Sequence, residues 1–108
     1  MTTFDDREKA FEAKYEHDEE LKFKVNARRN KLLGLWAANL LGKTGAEAEA
    51  YAKEVVMADF EKPGDSDVMH KLISDLAAGG KPTEEHTIRK QSERLADEAK
   101  KQIMTEVR

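Results

Sequence analysis

The stretch that decides the fold reads Leu21-Lys22-Phe23-Lys24-Val25, then Leu32-Leu33-Gly34-Leu35-Trp36-Ala37-Ala38-Asn39-Leu40-Leu41-Gly42. Leu21, Val25, Leu32, Trp36 and Leu40 step by four, seven, four and four, with Leu33 and Leu41 beside them. That spacing places them on one face of a helix. Gly42 and Gly45 flank the stop, and glycine most easily adopts the left-handed conformation of a C-terminal cap.

Working outward, Thr44 and Glu47 stand at capping-box spacing and open a second helix, with a buried side of Ala48, Tyr51, Ala52, Val55, Val56 and Phe60. Pro63-Gly64 ends it, because proline cannot continue the hydrogen-bond ladder. Ser66 or Asp67 caps a short third helix through Met69, Leu72, Ile73 and Leu76, stopped by Gly79-Gly80. Thr83 caps a fourth, with Glu84 and Glu85 where the helix dipole favours negative charge and a stripe of Ile88, Leu95, Ala99 and Ile103. Strand signals are nearly absent. The expected fold is all-α, a four-helix bundle with a long first helix.

Composition bounds the rest. The chain has 108 residues, 39% hydrophobic and 38% charged, which suits one small domain with narrow apolar stripes. It has no cysteine, so disulfides and thiolate metal sites are excluded. Net charge is −3 with acids and bases interleaved, which argues against nucleic acid as a partner. The apolar run at residues 32–41 is about half the length that spans a bilayer, so no direct membrane insertion is expected.

A length argument isolates the N-terminus. Run unbroken from Phe4 to Leu41, the first helix would be ~57 Å long, whereas the fourth reaches only ~34 Å at the same rise. The bundle then covers the chain from about Leu21, and the residues before it have no partner inside the protein. Yet Phe4, Phe11 and Tyr15 step by seven and four, an aromatic ridge on one face. An isolated helix of this length is marginal in water. The ridge could simply fray, pack in a homodimer, or fold into a groove on another protein.

The order of residues 4–38 is more specific than their pattern. Phe4-Asp5-Asp6-Arg7-Glu8-Lys9-Ala10-Phe11-Glu12-Ala13-Lys14-Tyr15, then His17-Asp18-Glu19-Glu20-Leu21-Lys22-Phe23-Lys24-Val25, then Ala27-Arg28-Arg29-Asn30-Lys31-Leu32-Leu33-Gly34-Leu35-Trp36-Ala37-Ala38, strongly resembles the start of the zeta subunit of the alphaproteobacterial F1Fo-ATPase. The second half agrees mainly in helix pattern and in its Gly and Pro breaks. The sequence departs from the family's pattern at Tyr15, where phenylalanine is usual, and at Asn39, where an acid is frequent.

The resemblance implies a bundle at residues 20–108 behind an N-terminal segment, residues 1–19, that is mobile when free. It implies an inhibitor, not an enzyme: the segment enters an interface between alpha and beta subunits of F1, with gamma nearby, and blocks rotation in the hydrolysis direction. The protein would be cytoplasmic, held at the inner membrane through F1Fo. Carried onto this chain, the F1-binding residues are Phe4, Asp5, Asp6, Arg7, Glu8, Lys9, Phe11, Lys14 and Tyr15. The aromatics would be buried anchors, each contributing on the order of 1.5–3 kcal/mol. Arg7 is the best candidate for a bidentate ion pair. No cofactor is required, though the resemblance leaves room for weak adenine-nucleotide binding. The alternative function is therefore a helical adenine-nucleotide-binding regulatory module.

Other motifs carry less. Gly42-Lys43-Thr44 resembles the end of a phosphate loop, but Ala37 stands where the loop needs glycine and a helix precedes it. His17, His70 and His86 lack metal-ligand spacing. His17 sits among Glu16, Asp18, Glu19 and Glu20, whose charges favour an imidazolium, so a pH-sensitive hinge is an expectation. Arg28, Arg29 and Lys31 read as a solvent-facing stretch, and Trp36 as the core anchor.

Overall fold

The computed structural model describes residues 3–61 and 65–106, with side chains described at 6–60 and 67–106. Five helices follow in order: α1 (Thr3–His17), α2 (Glu19–Leu40), α3 (Gly45–Glu61), α4 (Asp65–Ala78) and α5 (Glu85–Glu106). The all-helical expectation holds, but the long first helix does not. It is two helices, α1 and α2, parted at Asp18. The longest dimension of the molecule is 48 Å, too short for the unbroken helix of ~57 Å that its residue count would give.

Asp18 makes the break. Its backbone is extended at φ −114° and ψ 103°, and its carboxylate accepts the Leu21 N–H, at 3.1 Å. Glu19 and Glu20 follow in the first turn of α2. An N-cap carboxylate satisfies an amide that has no partner within the helix, and acids there suit the dipole. The sequence thus starts a second helix instead of continuing the first.

Helix α2 packs against all four others, and it buries two faces. Leu21 and Val25 join Phe11, Ala99 and Ile103 in one cluster. Leu33, Ala37 and Ala38 join Tyr51, Val55, Val68, Leu72, Leu76 and Ile88 in another. The predicted stripe is corrected at its far end. Leu32 and Trp36 are only partly buried, packed at the margins of the two clusters. Leu40 is exposed. A single stripe suits a helix with one neighbour; between α3 and α5 the buried set shifts to small residues that let helices approach. Gly34 shows how close: a Cβ there would lie 2.7 Å from the Ala52 Cα. Phe60, expected inside, is 47% exposed near the end of α3.

Helix ends largely follow their residue types. Gly42 has φ +78° and Gly80 φ +77°. After each, the next amide reaches back, Lys43 to the Ala38 carbonyl at 2.9 Å and Lys81 to that of Leu76 at 2.8 Å. These are two copies of one glycine-dependent cap. Two N-terminal expectations shift. Helix α4 already begins at Asp65, so Ser66 and Asp67 lie inside it. Thr83 donates its hydroxyl to the Lys81 carbonyl at 2.9 Å, and the Glu84 backbone oxygen accepts the Thr87 and Ile88 amides. The Pro63-Gly64 stop lies outside the described residues.

Two polar clamps tie the helices together. Arg28, expected to face solvent, donates to Gln102 at 2.8 Å and to Glu106 at 2.9 Å, joining the middle of α2 to the end of antiparallel α5. That hydrogen bonding holds the Glu106 carboxyl below its usual range. Tyr51 donates to Asp75 at 2.8 Å, and Lys71 reaches the same carboxylate at 3.0 Å, joining α3 to α4. Burial, reinforced by Asp75, pushes the Tyr51 phenol above its usual range.

Two predictions follow from these contacts. Gly34→Ala should destabilise the fold by ~1–3 kcal/mol through overpacking, despite alanine's better helix propensity, read as a lower urea midpoint. Tyr51→Phe should lose ~1–2 kcal/mol at neutral pH. Because its folded-state pKa is raised, Tyr51 contributes stability that is present below its unfolded pKa of about 10 and lost above it. The variant's stability should therefore fall less steeply at alkaline pH, measured by urea unfolding across that range.

Candidate functional site

The nine candidate residues of the N-terminal segment lie on α1, and His17 closes that helix. The side chains of Phe4 and Asp5 fall outside the described set. Asp6, Arg7, Glu8, Lys9 and Lys14 are exposed, as is His17. Lys14 and His17 occupy the last turn, where cations suit the dipole.

The aromatic face does have a place inside the protein, contrary to the length argument. Phe11 is 8% exposed, packed with Leu21, Val25, Ala99 and Ile103, and Tyr15 lies partly buried against the same cluster. The two rings stack with centroids 6.3 Å apart. The reason is the Asp18 break: once the helix is cut there, α1 can turn and lie along the α2–α5 seam. An unbroken helix could not reach it.

Lys100 of α5 completes the contact. Its ammonium stands 4.6 Å from the Tyr15 ring centroid and 3.6 Å from the Glu12 carboxylate. A cation–π contact of this kind is worth ~0.5–2 kcal/mol, and a partly exposed ion pair ~0–1 kcal/mol. Neither Lys100 nor Glu12 was a candidate from sequence. Lys100 adjoins the stripe residue Ala99, which offers only a weak signal. Asp18 was more legible, since an aspartate three residues before Leu21 and followed by two glutamates has the signature of a helix start.

The attachment is light. Among its described side chains α1 buries only Phe11, worth ~1.5–3 kcal/mol, whereas α2 buries Leu21, Val25, Leu33, Ala37 and Ala38. Beside Phe11 a cleft of about 300 Å³ opens between α1 and α5, lined by Glu8, Glu12, Asp97, Lys100 and Met104. Counting described side chains alone, α1 buries the fewest apolar residues of the five helices, and its Asp6, Arg7, Glu8 and Lys9 are exposed.

A second feature sits on the bundle. Asn30 is 1% exposed. Its carbonyl oxygen accepts from Arg29 at 3.3 Å, while its amide nitrogen has no partner. It lines a cleft of about 210 Å³ with Arg29, Arg89, Ser92 and Glu93, floored by Leu33 and Met69. Among the described residues, no group of three or more His, Asp or Glu side chains is arranged to hold a metal. No described helix is long and apolar enough to cross a membrane.

The geometry can be set beside known proteins. The family model described as ATPase inhibitor subunit zeta matches residues 1–102, which takes in α1 to α4 and most of α5. A protein of known solution NMR structure is similar at 50% identity and TM-score 0.71, covering 81% of this chain and 99% of its own. Comparison with curated proteins returns no match. With a light, separately capped N-terminal helix on an all-helical body, and a family match running almost from end to end, the chain belongs to the ATPase inhibitor subunit zeta family.

Proposed function

We propose that the chain inhibits F1-ATPase by inserting its N-terminal segment, residues 1–19, at an interface between alpha and beta subunits, blocking rotation in the hydrolysis direction. The observation that carries this reading is the attachment of α1: one buried aromatic among its described side chains, and a capped break at Asp18 where it can swing away. Released, Phe11 and Tyr15 become anchors for an apolar groove, with Phe4 beside them in sequence. Arg7, Lys9 and Lys14 pair with carboxylates of the cleft, and Asp5, Asp6 and Glu8 with its cations. A helix wedged between moving subunits stops them sterically, so the inhibitor needs no catalytic group.

Docking and inhibition compete for the same ring. Phe11 cannot fill the α2–α5 seam and an F1 groove at once. Binding therefore carries the cost of undocking, and the apparent affinity is reduced by the fraction of chains with α1 released. The hinge beside His17 is where a proton could bias that fraction, since an imidazolium next to Asp18, Glu19 and Glu20 alters the charge at the junction.

The test is an ATP-hydrolysis assay on cognate F1. Full-length protein should inhibit, and protein lacking residues 1–19 should not; hydrolysis unaffected by the full chain would refute the reading. Arg7→Ala should raise the half-inhibiting concentration by about tenfold or more, the cost of a lost bidentate pair, with no change in melting temperature because Arg7 is exposed. For the hinge, His17→Ala should flatten the pH profile of inhibition. An unaltered profile removes His17 from the mechanism.

One observation favours a second reading, weak adenine-nucleotide binding by the bundle. The Asn30 cleft offers donors from Arg29, Arg89, Ser92 and the orphaned amide beside one carboxylate, Glu93, so the set is net basic and can meet phosphate oxygens. At about 210 Å³ it is below the ~300–1,000 Å³ usual for a whole small-molecule ligand, so it would take the phosphates and leave the base outside. Saturable ATP- or ADP-dependent shifts of the Asn30 and Arg89 amide resonances would support it.

A further inference from the structure

A large exposed apolar surface lies on α2 and α3. Phe23 of α2 is 52% exposed, and Met57 and Phe60 of α3 are 46% and 47% exposed. The Phe23 and Phe60 rings meet at 5.2 Å between centroids. Side chains of this size gathered on one face are the kind of exposure that marks an interaction surface. The pattern along each helix is regular: Phe23, Ala27 and Lys31 on α2, and Lys53, Val56, Met57 and Phe60 on α3. Two adjoining grooves of about 490 and 410 Å³ share Lys31 and Val56; Phe23 lines the larger, Met57 and Phe60 adjoin them in sequence without lining either, and no described α1 residue lines them.

The charge of this surface differs from that of the chain. Lys24, Arg28, Lys31 and Lys53 line the grooves with Glu49 and Glu106; Arg28 is paired with Glu106 and Lys24 with Glu20, so Lys31 and Lys53 carry the basic margin, in a protein of net charge −3. An apolar channel with a basic margin fits a helix whose apolar stripe is flanked by carboxylates. Position narrows the occupant. Phe23 is four residues beyond Glu19, ~6 Å along the helix axis. Any protein that takes in residues 1–19 has its surface at that distance.

We infer that the Phe23–Met57–Phe60 face is a second contact with the same ATPase, docking on an acid-flanked helix at the mouth of the cleft that receives α1. The inference rests on the inhibitory reading and extends it. The segment supplies the block, while the basic aromatic face holds the bundle against the rim and slows departure. The face is open whether α1 is docked or released, so it can make first contact while Phe11 is still buried.

The test uses full-length protein and cognate ATPase, with inhibition and dissociation rates measured for Met57→Ser/Phe60→Ser and for Lys31→Glu/Lys53→Glu. All four side chains are exposed; Lys31→Glu/Lys53→Glu should keep the wild-type melting profile, and Met57→Ser/Phe60→Ser should stay folded at assay temperature, losing only the surface Phe23–Phe60 ring contact. Both should raise the half-inhibiting concentration by about tenfold or more, mainly through faster dissociation, while still reaching full inhibition at saturation. Lys31→Glu/Lys53→Glu should also weaken the salt dependence of binding. Wild-type potency in both variants, with Arg7→Ala impaired, would overturn this inference and leave the inhibitory reading standing. A wild-type chain that fails to inhibit overturns both. Self-association of the wild-type chain that Met57→Ser/Phe60→Ser abolishes would assign the face to a second copy and overturn the docking role.

Discussion

Phe11 can be buried in only one place at a time, and the architecture is arranged around that choice. Its ring lies against Leu21, Val25, Ala99 and Ile103, a seam formed because α2 and α5 run antiparallel with the Arg28–Glu106 clamp closing their shared end. The seam supplies an apolar floor just beyond the Asp18 break, so α1 can settle on it. Most of the protein's own stability lies elsewhere. The larger cluster around Leu33, Val55, Leu72, Leu76 and Ile88 and the Tyr51–Asp75–Lys71 clamp involve no α1 residue, so α1 can leave without dismantling them.

That separation gives the inhibitory role a physical basis. A segment fixed permanently in a core could not act on another protein, and one with no docking site would carry exposed aromatics in solution. Light docking lies between these limits. Among the described side chains, the Phe11 ring, the Lys100 cation over Tyr15 and the partly exposed Glu12–Lys100 pair together contribute on the order of a few kcal/mol. A groove that offers more apolar area and better-matched charges can outcompete that. In the proposed mechanism, release of α1 would uncover Leu21 and Val25, which are 4% and 2% exposed with α1 docked, so its departure would be opposed until a partner compensates.

Much of this was legible in the sequence. Helical punctuation at Gly42, Gly79 and Gly80, the Val55 and Leu72 stripes, and the ridge of Phe11 and Tyr15 follow from local chemistry that acts over a few residues. What could not be read depended on neighbours distant in the chain. Leu40 and Phe60 fit their stripes by spacing but are exposed, because burial requires a facing helix and not merely periodicity. Ala37 and Ala38 are buried more deeply than Trp36, because α2 is pressed by α3 on one side and Gly34 leaves no room for larger residues. The unbroken first helix was a misreading of Asp18, where local capping chemistry outweighs the continuity of apolar spacing on either side. Lys100 was invisible because its partners, Glu12 and Tyr15, are more than eighty residues away.

The central claim is that α1 must leave its docked position to inhibit, and the absence of native cysteines allows a direct measurement. Glu12→Cys with Lys100→Cys, joined by a short cleavable bis-maleimide across the Glu12–Lys100 contact, would hold α1 on the seam without altering the rest of the bundle. ATP hydrolysis by cognate F1 is then followed with the tethered protein and again after the tether is cut. The account predicts that the tethered chain leaves hydrolysis unaffected and that cleavage restores inhibition. Equal inhibition before and after cleavage would contradict it.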